Sequence, residues 1–203
     1  MKKGLGIIGF AIVILAVYLV VFNKSENEPG EPKQQALTQS TNSDMFNNSF
    51  SNMLNAYFDL KDAFVNWDTI KINGSAKLFQ ASLKAINYET LMADTTILAT
   101  ATDFSNNTIA ETINLANAET IVLKRHFFYD ISENVYNLIK TVRYDQRVIY
   151  HEKCPMAFND KEEAYWISDT NAIINPYLGN KHPIYKSAML NCGSVEDSID
   201  FRP

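Results

Sequence analysis

The run ETIVLKRHFFYDISENVYNLIKTV (119–142) constrains the fold of this chain more than any other stretch. Ile121, Phe128, Ile131, Val135, Leu138 and Val142 recur at spacings of three, four and seven, which keeps an apolar stripe on one face of a long helix. A stripe of that length is stable in water only when other elements cover it. The chain offers three candidates. Phe50, Met53, Leu54, Tyr57, Phe64 and Trp67 make an aromatic-rich stripe, with Ser43 or Asp44 placed to cap its start. Asn73-Gly74 reads as a break, after which Ser75 caps SAKLFQASLKAI with Leu78, Phe79, Leu83 and Ile86 on one face. ATATDFSNNTIAETINLA is a weaker helical segment around Ile109, Ile113 and Leu115. Short links between four such segments predict a mainly α protein, an up-and-down four-helix bundle over 44–143.

The N-terminus sets the expected compartment. MKK precedes GLGIIGFAIVILAVYLVVF, nineteen residues without a charge. A secretory apolar region usually runs about 7–15 residues and ends at small residues. This one is longer and has neither an A-x-A site nor a lipobox cysteine, and a membrane-crossing helix needs ~20 residues. We therefore read 1–23 as a transmembrane anchor, with Lys2 and Lys3 on the cytoplasmic side of the inner membrane. The domain is then exported, to the periplasm or the cell exterior. A long cleavable signal peptide is the alternative, and it exports the domain equally. NKSENEPGEPKQQALTQSTN carries almost no apolar residue, so 24–43 is expected to be a flexible linker. The net charge of −5 comes from scattered acids, and no basic stripe exists to neutralise phosphates. That argues against nucleic acid as a partner.

After Val142 the character changes. YDQRVIYHEKCP reads as a strand, and Pro155, Pro176, Gly179, Pro183 and Gly193 keep the remainder turning. The expectation for 144–203 is a small, loop-rich C-terminal lobe with brief helices, of a size that often needs a staple. Trp166 and Tyr165 are its natural apolar plug, and NPYLG reads as a turn started by Asn175.

The only two cysteines lie in this lobe, Cys154 with Met156 two residues on and Cys192 with Met189 three before. Thiolate and thioether sulfur together favour Cu(I), a soft, filled-shell ion; Ag(I) shares the preference. Zn(II) would accept the cysteines with His151 but gains little from methionine. In an extended Cys-Pro-Met, alternate residues point the same way, so Cys154 and Met156 are able to converge. A helical turn at SAMLNC would align Met189 with Cys192. His151 either faces the same point or lines the strand; His126, mid-helix, and His182, in a loop, are second-tier ligands. Three other readings stand beside the metal. Exported cysteines oxidise readily, so a Cys154–Cys192 disulfide is one. The methionines as plain core filler are another. A nucleophilic cysteine activated by His151 is the third, but no orienting acid or oxyanion motif accompanies it. No catalytic residue is assigned, and the expectation is a binding protein, not an enzyme.

CPMAFNDKEEAYWISD, INPYLG and MLNCG, preceded by KRHFFYDISENVYNLIK, closely resemble a bacterial family known as domain of unknown function 3347. The resemblance runs from about Leu54 to Val195. Members are exported proteins or are fused to membrane-fusion subunits of copper/silver efflux systems. It implies a role in heavy-metal, chiefly copper, handling, with copper efflux or chaperone proteins as partners. It carries Cys154, Met156, Met189 and Cys192 forward as the site, and places His151 and His126 where members often have histidine. NKHPIYKSA, between Gly179 and Met189, is longer here than in many members.

Overall fold

The computed structural model describes residues 41–91 and 93–203. The expected anchor at 1–23 and nearly all of the expected linker at 24–43 lie outside the described residues. Among the described residues no helix is long and apolar enough to cross a membrane.

Each of the four α-helices among the described residues begins on a side chain that accepts a backbone N–H left free by the first turn. Ser43 accepts from Phe46 N at the start of α1 (Asp44–Val65), and Asp68 from Lys71 N at the start of α2 (Thr69–Lys84). Asp94 accepts from both Thr96 N and Ile97 N to open α3 (Thr95–Asn117), and Thr120 from Leu123 N to open α4 (Ile121–Val142). A short 3₁₀ turn at Tyr88–Thr90 links α2 to α3.

Several expectations are corrected here. The first break comes at residues 66–68, not at Asn73-Gly74. The helix that begins at Thr69 runs through the glycine, whose missing Cβ would meet nothing within 4 Å. Asn73 is anchored there: its Oδ1 accepts a 2.8 Å bond from Lys124 Nζ, which also donates 2.8 Å to the Leu115 carbonyl at the end of α3. Ser75 is therefore an interior residue and not a cap. Leu78 is 68% exposed while Phe79 and Leu83 are buried, so it lies off the core-facing side of this helix. Trp67, expected on the first stripe, instead sits beyond the helix end with φ +53°.

The C-terminal part contains a sheet where loops and brief helices were expected. The predicted strand is β1 (Ile149–Phe158), and β2 (Glu162–Ser168) and β3 (Ser194–Ile199) flank it in the antiparallel order β2-β1-β3. The β1–β2 register is regular from Tyr150↔Ser168 to Cys154↔Ala164 and irregular from there to Phe158↔Glu162. The 169–193 connection is built from turns. One continuous core joins helices and sheet. Tyr57, Phe64 and Phe128 stack at 4.6–5.6 Å in the helices, and Tyr177 carries the contact on to Phe158 and Trp166 at 5.6 and 6.0 Å. The Tyr57 hydroxyl, bonded to Ser132 at 2.7 Å, also accepts from Ile167 N in β2 at 3.2 Å. The described protein is thus mainly helical, with four helices and a small three-stranded sheet.

Candidate metal centre

Strand β1 carries Cys154 into the interior, opposite Ala164, where both are fully buried. Cys192 arrives from the other direction, at the end of the turns before β3. Asn175 holds it in place. Its side-chain oxygen accepts from Tyr177 N at 2.8 Å and Leu178 N at 3.0 Å, and its amide donates to the Cys192 carbonyl at 2.7 Å. Gly193 then lies flat on β1 with φ +143°: a Cβ there would stand 2.4 Å from the Lys153 carbonyl. Only glycine permits this approach.

The Cys154 sulfur faces the Cys192 thiol, the Asn175 side chain and the Met156 N–H. Both cysteines are free thiols. Burial pushes the Cys154 thiol up to about 11, against the partial relief from the Met156 N–H and Asn175. Met156 and Met189 are partly buried and pack against the same core. The turn expected at SAMLNC is a set of tight i to i+3 turns, Leu190 N to Ser187 O at 3.2 Å and Cys192 N to Met189 O at 3.0 Å.

The three histidines have other engagements. His151 is three residues from Cys154 in a regular strand, hence on the opposite face. There it stacks between Tyr136 and Tyr165 at 3.9 and 4.9 Å, and its Nε2 lies 2.8 Å from a Glu133 oxygen. His126 stacks on Phe158 at 3.9 Å. His182 sits in the lengthened NKHPIYKSA segment, where its Nδ1 accepts from Ile184 N and Tyr185 N, each at 3.2 Å. Burial, with the Arg125 charge, holds its pKa below the usual range for histidine. Among the described residues no three His, Cys, Asp or Glu side chains cluster as metal ligands.

The NPYLG turn fastens this region to the helices. Trp67 Nε1 donates to the Leu178 carbonyl at 3.0 Å, and Asn180 N to the Val65 carbonyl at the end of α1 at 2.9 Å. Gly179, at φ +58°, has no room for a side chain: a Cβ would meet Val65 O at 2.5 Å and the Trp67 ring at 2.7 Å.

Three polar residues near the thiols carry more than their sequence suggests. Asn175 is a clamp on Cys192 as well as a turn starter. Glu152 is fully buried on the Cys154 face of β1, opposite Trp166. Burial raises its carboxyl to about 7, with Lys61 and the Trp166 indole opposing. Arg125 is 6% exposed and donates from Nη2 to the Ala157 carbonyl at 3.3 Å. A signal for Arg125 exists, since it falls between Ile121 and Phe128 at stripe spacing, where an apolar residue is the norm.

Comparison with known proteins bears on the helical half. The family model described as "Protein of unknown function (DUF3347)" matches residues 53–147. That agrees with the family resemblance over the helices and ends before the Cys-Pro-Met, Asn-Pro-Tyr and Met-Leu-Asn-Cys elements. No curated protein and no solved structure matches the chain.

Proposed function

We propose that this chain, whose residues 53–147 carry the DUF3347 domain, is an extracytoplasmic Cu(I)-binding protein. It is tethered to the inner membrane by its N-terminal segment, and its anchored up-and-down helical bundle supports the sheet that presents the site. The observation that carries this reading is the meeting of the only two thiols, Cys154 on β1 and Cys192 before β3, from segments 38 residues apart in sequence. Two thiolates are a sufficient donor pair for a soft monovalent ion, and Met156 and Met189 are the thioethers nearest them in sequence. Ag(I) fits the same donors; Zn(II) does so less well, because His151 belongs to the other face of the strand.

Copper is cargo in this reading. Cys154 is held protonated at neutral pH by its burial, so Cu(I) displaces protons as it binds. Cys192 is only partly buried, which leaves one sulfur open to an incoming thiolate of an efflux or chaperone protein. Transfer then proceeds by ligand exchange, and no step requires bond-breaking catalysis. Anaerobic titration of the reduced full chain with Cu(I) against a competing chelator tests this. Binding no tighter than that of a Cys154→Ser/Cys192→Ser variant would sink it.

The same thiol pair favours one rival, a Cys154–Cys192 disulfide stapling a non-metal scaffold module. It predicts protein isolated from the envelope that is lighter by two hydrogen atoms and free of copper, and tolerance of leucine at Met156 and Met189.

A further inference from the structure

Arg125 is a buried cation whose charge has no acid to answer it. Its Nε and Nη1 are buried without a hydrogen-bond partner, and among the described residues it joins no ion pair. The guanidinium lies over the Trp67 ring at 5.0 Å and the Phe158 ring at 5.9 Å. Those stacks and the one bond to Ala157 offset only part of the cost of taking a charge out of water. Evolved interiors rarely leave such a group unanswered. Asp160, whose charge reaches the neighbouring His182, is exposed and engages the Tyr185 hydroxyl. Its charge is felt by the Tyr177 hydroxyl, the Cys154 thiol and the His182 ring, and its one hydrogen bond goes to Ala157, three residues beyond Cys154 on β1.

We infer that Arg125 is the resident counter-charge of the metal-loaded site, a positioning and selectivity residue that touches no metal. The inference rests on the Cu(I) reading above. Two thiolates and one Cu(I) leave one net negative charge in a buried place, and an unpaired cation beside Cys154 neutralises it. The same arithmetic makes Arg125 a filter on ion charge. Cu(I) and Ag(I) leave a negative complex that gains from the guanidinium, whereas Hg(II), equally soft and held by the same two thiolates, leaves a neutral one that does not.

The test compares wild type, Arg125→Met and Arg125→Lys as reduced full chains, each titrated with Cu(I), Ag(I) and Hg(II) against competing chelators. Arg125→Met should lose about tenfold or more in affinity for Cu(I) and Ag(I), with Hg(II) changed by far less. Arg125→Lys, which keeps the charge, should recover most of the loss. In the metal-free state Arg125→Met should melt no lower than wild type, because methionine fills the space without burying a charge. An equal loss for all three ions, or a lower melting temperature without metal, would make Arg125 a structural residue and overturn the inference. Wild type that binds Cu(I) no better than Arg125→Met would overturn it alone. Wild type that binds no Cu(I) would overturn the functional reading and this inference together.

Discussion

The helices and the sheet of this protein treat buried polar groups in opposite ways. In the helical half, polar side chains serve the backbone: Ser43, Asp68, Asp94 and Thr120 cap the four helices, and Lys124 binds the carbonyl end of α3. Around the sheet Asn175 is well bonded, but three other groups lack full partners. Arg125 reaches in from α4 with two orphan donors, Glu152 is buried with a raised carboxyl, and the Cys154 thiol faces that of Cys192. The first arrangement is what stability alone selects. The second costs stability, and such costs concentrate where a protein binds something.

This contrast is open to attack from both sides. The largest effect is expected in the helices. Phe128, fully buried between Tyr57 and Phe64, should cost about 3–5 kcal/mol on replacement by alanine, read as a lower denaturant midpoint. Glu152 should show the opposite sign. Its folded carboxyl titrates at about 7 against an ordinary value of 4.5. The folded state thus holds the proton more firmly, so its contribution to stability is complete below about pH 4.5 and is lost as the pH climbs through about 7. Glu152→Gln should flatten that slope and stabilise the protein on the order of 2 kcal/mol above neutrality, seen as a higher melting temperature there but not at pH 4. Lys61 also pairs with Asp62 at 3.5 Å, so the substitution would not leave it without an acidic partner. The smallest effect belongs to a cap. Asp94→Ala should cost about 1 kcal/mol and leave Cu(I) binding untouched, as calorimetry beside a metal titration would report. A Glu152→Gln variant that melts lower at neutral pH would show that the sheet half is built for stability after all.

The helices were legible because their apolar spacing and caps are local signals. The stripe from Ile121 to Val142 and the Ser43 cap needed no tertiary information. Asn73-Gly74 misled because the interaction that keeps it helical comes from Lys124, fifty-one residues away. Strands β2 and β3 were missed for a related reason. β3 is exposed except at Ile199, so it lacks an alternating pattern, and its pairing with β1 is the work of Gly193 and Asn175. At the site, the two cysteines stand out by rarity, and the fold brings their thiols together. The division of His151 from Cys154 depended on strand phase, and the isolation of Arg125 on which residues fold around it; neither is written in spacing.

X-ray absorption at the copper edge, on the full chain loaded with one Cu(I) equivalent under anaerobic conditions, tests the central claim most directly. The account predicts a first shell of sulfur alone, lost in Cys154→Ser/Cys192→Ser and unchanged in His151→Gln. A nitrogen-containing shell that His151→Gln abolishes, or copper that the double serine variant retains unchanged, would contradict it.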